Sequence, residues 1–230
     1  HIDPVPAGGS GYLITSPELY MKRLLASGYE CIYQFTPVFR AGERGRLHHP
    51  EFTLLEWYRL GSDYRALQDD CRGLLTAACE AAGRIEGWFF GDIFLDVKAP
   101  WPHVTVREAF GRFAGWEPRD PLDQARFDQD MVEKVEPMLG FPAPCILSDY
   151  PASQAALARL CPHDQMVAER FELYWAGVEL ANGFSELTDP REQRARFHAV
   201  IEDHRRAGRS VTPMPERFLD SLSHLDPCAG

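Results

Sequence analysis

Two runs of β-branched and aromatic residues stand on either side of a polar loop near the start of the chain. The runs cover 31–39 and 52–60, and the loop between them contains Gly42, Gly45 and Pro50. β-Branched and aromatic side chains favour an extended backbone, whereas Gly and Pro interrupt it. The pattern predicts an antiparallel hairpin, and the rest of the chain has to be arranged around a sheet that contains it.

The second run also predicts which side chains share a face. Successive side chains of a strand point to opposite sides, so residues two positions apart point to the same side. We therefore expect Glu56 and Tyr58 on one face of the strand and Leu55 and Trp57 on the other.

Four further segments begin with helix start signals. A Thr or Asp side chain can accept a hydrogen bond from the first turn of a helix, and Pro fits an early helical position. The helix after the first signal is expected to run to Ser27 and end at Gly28, and the helix after the second to reach Ala82. The predicted N-caps are Thr15 with Glu18 as a capping box, Asp63, Thr105 with Glu108, and Asp189.

Strands are predicted to dominate the centre of the chain. Candidates lie at 143–147, 167–175 and 178–182, with a short helix at 152–160. No internal repeat or low-complexity tract divides the sequence, so we expect a single domain over 1–230. The fold class that follows is α+β, with an antiparallel sheet flanked by helices.

Composition argues against several classes of protein. Hydrophobic residues make up 45% of the 230 residues, which suits a buried core rather than a disordered chain. The net charge of -10 offers no broad cationic face for nucleic acid, and the 6 cysteines include no CxxC pair. Since no stretch approaches the roughly 20 apolar residues of a membrane span, we expect a cytoplasmic protein with reduced thiols and no membrane partner.

The hairpin and its loop form one string from Phe39 to Tyr58. This string resembles motif 2 of the class II aminoacyl-tRNA synthetases. By the resemblance Arg40 is catalytic and binds the α-phosphate of ATP, because a guanidinium fork suits a phosphate group. The resemblance also implies that the ring of Phe52 stacks on the adenine of ATP. The remaining implied ATP contacts in this string are Glu43, Arg46, His48 and His49.

A second string, from Phe171 to Asp189, resembles the lysine branch of the same family. It implies that Glu179 and Asn182 bind Mg²⁺, since carboxylate and amide oxygens are ligands that this ion accepts. Glu179 is also assigned a catalytic role and, with Leu180, a contact with ATP. A spacing of three puts Glu179 and Asn182 on opposite faces of a regular strand, so a bulge or a strand end near Ala181 is needed if both bind one ion.

The resemblance implies substrate contacts in three parts of the chain. Glu186 and Tyr58 are assigned the side-chain ammonium of the substrate, because a buried cation needs an opposite charge and hydrogen bonds. The string from Thr15 to Leu24 resembles the substrate loop and helix before motif 2. The implied contacts with the rest of the substrate are Ser16, Pro17, Glu18 and Asn182.

Within the family, the chain looks most like the ligases that attach β-lysine to elongation factor P. This implies ATP, Mg²⁺ and lysine or β-lysine as reactants, and an adenylate that is transferred to a lysine side chain of elongation factor P. tRNA is the less favoured acceptor. The resemblance also implies a homodimer, with motif 1 before and motif 3 after the segment 1–230.

Two other hypotheses stay open at this point. One is the catalytic core of a lysyl-tRNA synthetase. The other is a catalytically inactive relative that binds a partner, because His49 stands where the family usually has Asn and Gly42 where it usually has Glu.

Overall fold

The computed structural model describes residues 2–9, 11–209 and 211–230. The chain folds into two compact units. The first takes its described residues from 1–61, 188–228 and Gly230, and the second from 62–187 and Ala229.

Helices and strands follow one another along the whole chain. The helices are α1 (Glu18–Leu25), α2 (Tyr64–Ala81), α3 (Val106–Phe113), α4 (Gln124–Asp130), α5 (Pro190–Arg206) and α6 (Glu216–Leu222). A π-helical turn (Met131–Val135) and a 3-10 turn (Glu136–Met138) follow α4, and a second 3-10 turn (Ala152–Gln154) lies further along the chain. The strands are β1 (Cys31–Phe39), β2 (Glu51–Leu60), β3 (Trp88–Phe90), β4 (Ile93–Leu95), β5 (His103–Thr105), β6 (Cys145–Pro151), β7 (Leu160–Cys161), β8 (Asp164–Trp175), β9 (Val178–Phe184) and β10 (Cys228–Ala229).

The first unit is built on the β1–β2 hairpin. The two strands pair antiparallel over their full length, which confirms the hairpin, and β10 extends the sheet on the β2 side. The alternation predicted for β2 is also confirmed, because Ile32 pairs with Tyr58 and Gln34 with Glu56. Helices α1 and α6 pack on the hairpin around a core formed by Met21, Leu25, Tyr58, Phe218, Leu219, Leu222, Leu225 and Cys228.

The start of α1 differs from the prediction. The capping box of Thr15 with Glu18 is wrong, because the helix begins at Glu18 and its N-cap residue is Pro17. The Glu18 N–H donates instead to Oγ of Ser16 at 3.0 Å. The Glu18 carboxylate accepts a hydrogen bond from Lys22 Nζ at 2.5 Å. This contact with a residue one helical turn further along replaces the predicted bond between the Glu18 side chain and the N-cap.

The second unit contains a five-stranded sheet with the order β5–β6–β8–β7, and β9 also pairs with β8. Strands β5 and β6 are parallel, whereas the other pairs of this sheet are antiparallel. The unit therefore agrees with an α+β chain of mixed helices and mainly antiparallel strands. Asp63 caps α2 and Thr105 forms a capping box with Glu108 at α3, as predicted. In the described ranges, no helix is long and apolar enough to cross a membrane.

The helix predicted at 152–160 is wrong. Only Ala152–Gln154 forms a 3-10 turn, and Ala156 takes a positive φ of 49°, which a helix does not allow. Beyond it, the Arg159 N–H donates to the Ser185 carbonyl and Leu160 pairs with Ala168. Strand pairing with distant residues thus outweighs the local helix preference of the alanine-rich segment.

Gly140 lies where the chain after α4 meets the turn between β8 and β9. Its φ is +77°, and a Cβ there would lie 2.5 Å from the Trp175 Cα. We expect Gly140→Ala to lower the free energy of unfolding by about 2 kcal/mol or more, because both the backbone angle and the space exclude a methyl group. Chemical denaturation measures it.

Gly73 supplies a matched control, because it lies exposed within α2 and a Cβ there would meet nothing within 4 Å. Gly73→Ala should be neutral or stabilising by up to about 1 kcal/mol. Equal effects of the two substitutions would contradict the close approach at Gly140.

Candidate active site

Arg40 is held at the end of β1 by contacts from three directions. Its Nε donates to the main-chain carbonyl of Thr15 at 3.3 Å. Its guanidinium carbon lies 5.0 Å from the centre of the Phe52 ring, and Nη1 lies 4.0 Å from a carboxylate oxygen of Glu43. The side chain is 23% exposed, so it is oriented and still accessible. Three of the residues predicted to bind ATP therefore lie together.

The loop between β1 and β2 carries the other predicted ATP contacts. Arg46, His48 and His49 are exposed in it. The Arg40 N–H donates to the Pro50 carbonyl at 2.9 Å and closes the base of the loop, while Gly42 takes a φ of +79°. The structure thus places an oriented arginine at the base of a loop whose polar side chains face solvent.

A half-buried carboxylate, Glu56, joins the predicted substrate residues of the first unit. Ser16 Oγ donates to one of its oxygens at 2.7 Å, and the Tyr58 hydroxyl donates to the other at 2.8 Å. Ser16 in turn accepts from the Glu18 N–H, and Glu18 pairs with Lys22, which is only 1% exposed. Ser16, Glu18 and Tyr58 are therefore linked into one chain of hydrogen bonds through Glu56.

The surroundings of Glu56 make this side chain harder to ionise than an ordinary glutamic acid. Burial raises the pKa of Glu56, and the nearby negative charge of Glu18 raises it further. The hydrogen bonds from Ser16 and Tyr58 and the charge of Lys22 act in the opposite direction without cancelling this rise. An approaching cation would favour the ionised form of Glu56 and so lower its pKa again.

In the second unit, β9 contains a bulge, which is one of the two irregularities that the sequence predicted. Leu173 pairs with Ala181 and Tyr174 with Glu179, so Leu180 is the extra residue of the strand. The bulge lies one residue before the predicted position. Because of it, Glu179 and Asn182 face the same side of the sheet.

The same face of β8 carries Glu172 and Tyr174, which pair with Asn182 and Glu179 respectively. Glu172 is 7% exposed and accepts from Arg170 Nη2 at 2.6 Å and from the Tyr174 hydroxyl at 2.6 Å. Burial and then the negative charge of Glu172 raise the pKa of Tyr174, so its hydroxyl stays protonated and donates. These residues form a compact polar cluster around one buried carboxylate.

Glu186 lies beyond the end of β9 and is 2% exposed. It forms an isolated bridge with Ala158, which belongs to a small apolar cluster with Ala168 and Phe184. The neighbouring Ser185 is fully buried, and its Oγ accepts from the Tyr64 N–H at 3.0 Å. Glu186, the predicted contact for the ammonium group, is thus a carboxylate beside an apolar cluster. Burial of a charged carboxylate costs free energy, and a nearby positive charge offsets this cost.

Four strand residues of these clusters were not among the predicted site residues: Glu56, Arg170, Glu172 and Tyr174. Their signal in the sequence is a spacing of two within a strand, since Glu56 precedes Tyr58, and Arg170 and Glu172 precede Tyr174. The spacing predicts a shared face, but it does not indicate that the face is buried.

A magnesium ion fits the side chains of β8 and β9. Within the described residues, no group of three His, Cys, Asp or Glu side chains is arranged to hold a metal. The available ligands are the carboxylates of Glu179 and Glu172 and the amide oxygen of Asn182, on one face of the sheet. Mg²⁺ is usually held by one or two carboxylates, with phosphate and water oxygens completing its octahedron, so this set suits it.

Comparison with known sequences places the chain in a family. The pattern of the tRNA synthetases class II (D, K and N) matches residues 6–226, and the chain belongs to this family. This finding confirms the resemblance to class II synthetases.

Several similar proteins from different bacteria share the same name. A protein of Vibrio cholerae called elongation factor P--(R)-beta-lysine ligase is 40% identical over 237 residues, covering 100% of this chain and 73% of the relative. The proteins of that name from Pseudoalteromonas translucida and Erwinia tasmaniensis are 39% and 43% identical. They cover 98% and 94% of this chain, which in turn covers 72% and 68% of them.

Glu56→Gln should change how stability depends on pH. In the folded chain the pKa of Glu56 lies above its ordinary value of 4.5, so the folded state holds the proton more tightly than the unfolded state. This contribution is full below pH 4.5 and is lost as the pH rises through the raised pKa. We expect the stability of Glu56→Gln relative to the native protein to rise with pH above 4.5 and then level off. Urea unfolding at a series of pH values measures it.

Glu108→Gln is the matched control with the opposite sign. The hydrogen bonds from Thr105 lower the pKa of Glu108, so this variant should lose stability relative to the native protein as the pH rises toward 4.5 and show no change above it. A difference for Glu56→Gln that does not vary with pH would show that the folded chain does not retain the proton.

Proposed function

We propose that this chain activates (R)-β-lysine with ATP and attaches it to elongation factor P. The observation that carries the proposal is the identity of about 40% with ligases of that name along nearly the whole chain. The oriented Arg40 and the oxygen ligands of β9 supply the chemistry that such a ligase needs. In the proposed enzyme, the sheets of this chain form the catalytic core of a class II synthetase.

The first step forms an adenylate. A carboxylate oxygen of β-lysine attacks the α-phosphorus of ATP, the bond to the bridging oxygen breaks, and pyrophosphate leaves. Negative charge increases around the α-phosphorus in the transition state, and Arg40 is assigned to offset it. The contacts from Thr15 and Phe52 hold its guanidinium in place, so little reorientation is needed during the reaction. The ring of Phe52 is assigned to stack on the adenine. Further contacts with ATP are assigned to Glu43, Arg46, His48, His49 and Leu180.

Glu179 and Asn182, with Glu172 beside them, are assigned the magnesium ion. When bound, Mg²⁺ supplies positive charge to the phosphate oxygens. The bulge at Leu180 supports this role, because it brings Glu179 and Asn182 to one face. The Arg170 side chain already donates to Asn182 Oδ1, but an amide oxygen has two lone pairs and can accept a second interaction.

The substrate's ammonium groups are assigned to acidic side chains of the chain. Glu186 is proposed to pair with the side-chain ammonium, since a buried carboxylate is strongly stabilised by a cation. The end of the substrate away from its side-chain ammonium is assigned to Ser16, Pro17, Glu18 and Asn182. Tyr58, whose proton already goes to Glu56, can accept from an ammonium with its oxygen lone pairs.

The second step forms an amide. The amine of a lysine side chain on elongation factor P attacks the carbonyl carbon of the adenylate, the bond to phosphate oxygen breaks, AMP leaves, and the nitrogen loses one proton. No nucleophile of the protein takes part in either step. The chain contributes orientation and electrostatic stabilisation.

Arg40→Ala tests the first step. We expect ATP–pyrophosphate exchange with (R)-β-lysine to fall at least about 100-fold, because a charge-stabilising donor at the reacting phosphate is lost. Arg44→Ala is the control, since Arg44 lies exposed in the same loop, and it should leave exchange close to the native rate. Native exchange in Arg40→Ala would contradict the assignment.

Comparison of acceptors tests the second step. Radiolabelled β-lysine should appear on elongation factor P and not on tRNA, and exchange should be faster with (R)-β-lysine than with α-lysine. Transfer of α-lysine to tRNA would favour a lysyl-tRNA synthetase instead. Absence of adenylate from a folded protein, measured by mass spectrometry, would favour the inactive relative.

A further inference from the structure

Arg170 lies at the centre of the polar cluster on β8 and β9. Its Nη2 donates to Glu172 Oε1 at 2.6 Å, and its Nε donates to Asn182 Oδ1 at 3.1 Å. Its Nη1 donates to the main-chain carbonyl of Gln154 at 2.8 Å, and its Cζ lies 4.3 Å from the centre of the Tyr150 ring. With its side chain only 17% exposed, the planar guanidinium is held in one orientation.

This geometry determines how two neighbouring side chains are oriented. A guanidinium only donates hydrogen bonds, so the Asn182 atom that faces it has to be the amide oxygen. The Glu172 carboxylate is held at both oxygens, by Arg170 at one and by the Tyr174 hydroxyl at the other. One planar group thus orients an amide on β9 and a carboxylate on β8.

The cluster also explains how a charged guanidinium is accommodated at a position where its side chain is only 17% exposed. Burial disfavours a charged group, but the guanidinium is paired with the Glu172 carboxylate at 2.6 Å, and arginine is not deprotonated in proteins. The side chain therefore stays charged. This geometry allows two roles for Arg170. It can neutralise nearby carboxylates, and it can orient the oxygens of Glu172 and Asn182.

We infer that Arg170 is a positioning residue that holds the oxygens of Glu172 and Asn182 in the arrangement that receives the metal ion. The inference rests on the proposed function and adds to it a residue that acts through two metal contacts rather than on the substrate. The role depends on the planar fork of the side chain, because three separate acceptors are met by three nitrogens of one rigid group.

Orientation and charge predict opposite effects of substitution. A cation beside a metal site repels the metal, so loss of charge alone would strengthen metal binding. Loss of orientation would weaken it, since replacing a side chain that orients metal ligands typically lowers affinity by about 10- to 100-fold. Arg170→Lys separates the two effects, because it keeps the charge and loses the fork.

Mn²⁺ binding, followed by the electron paramagnetic resonance signal of the free ion, tests the inference on the full chain with and without ATP. We expect both Arg170→Lys and Arg170→Ala to raise the Mn²⁺ dissociation constant by about 10- to 100-fold. Native binding in Arg170→Lys with tighter binding in Arg170→Ala would overturn the inference in favour of charge neutralisation. Unchanged binding in both variants would overturn it as well.

Arg159→Lys is the matched control. Arg159 Nε donates to Glu169 Oε2 at 2.7 Å in the same unit, so this guanidinium orients a carboxylate that is not assigned to the metal. The control should bind Mn²⁺ like the native protein. Circular dichroism identifies variants that fail to fold, and Arg170→Gln, which is also planar but uncharged, replaces Arg170→Ala if the latter does not fold.

The outcome is separable from that of the proposed function. Native protein that binds Mn²⁺ with ATP but forms no adenylate would contradict the proposed function, while the variants would still report on orientation. Native protein that forms the adenylate, with Mn²⁺ binding unaffected by Arg170→Lys and Arg170→Ala, would contradict this inference alone.

Discussion

A carboxylate that leaves water needs hydrogen-bond donors or positive charge around it, and the polar residues of both units are arranged to meet this requirement. In the first unit, two hydroxyls donate to Glu56, from Ser16 and Tyr58. In the second, Arg170 and Tyr174 donate to the two oxygens of Glu172. Because each donor is anchored on its own strand or loop, the acidic groups hold their orientation before any substrate arrives.

This prior orientation suits the chemistry proposed for the chain. Adenylate formation and aminoacyl transfer need no protein nucleophile, so the protein contributes by placing charges where they change during the reaction. Arg40 illustrates the arrangement, since a main-chain carbonyl and the Phe52 ring limit its movement while part of its surface stays accessible. The bulge at Leu180 has a similar effect on β9, where a single extra residue brings Glu179 and Asn182 to one face.

Prediction from the sequence succeeded where short-range rules decide the outcome. The hairpin predicted at 31–39 and 52–60 is observed within one residue, and the N-cap at Asp63 and the capping box at Thr105 are confirmed. Prediction failed where a distant segment competes with the local preference. The segment 152–160 is rich in alanine, yet most of it forms turns and strand pairs, because strands far along the sequence offer its backbone other hydrogen bonds.

The sequence by itself determined the family, the position of the hairpin, and the residue types from which an ATP and amino-acid site can be built, because motifs and two-residue alternation are local properties of a strand. Only the tertiary structure decided that Glu172 is buried and Glu56 half-buried, that Arg170 joins two strands, and that the extra residue of β9 is Leu180. Burial and strand register depend on which segments pair and pack against each other, and such contacts join residues that are far apart in the sequence.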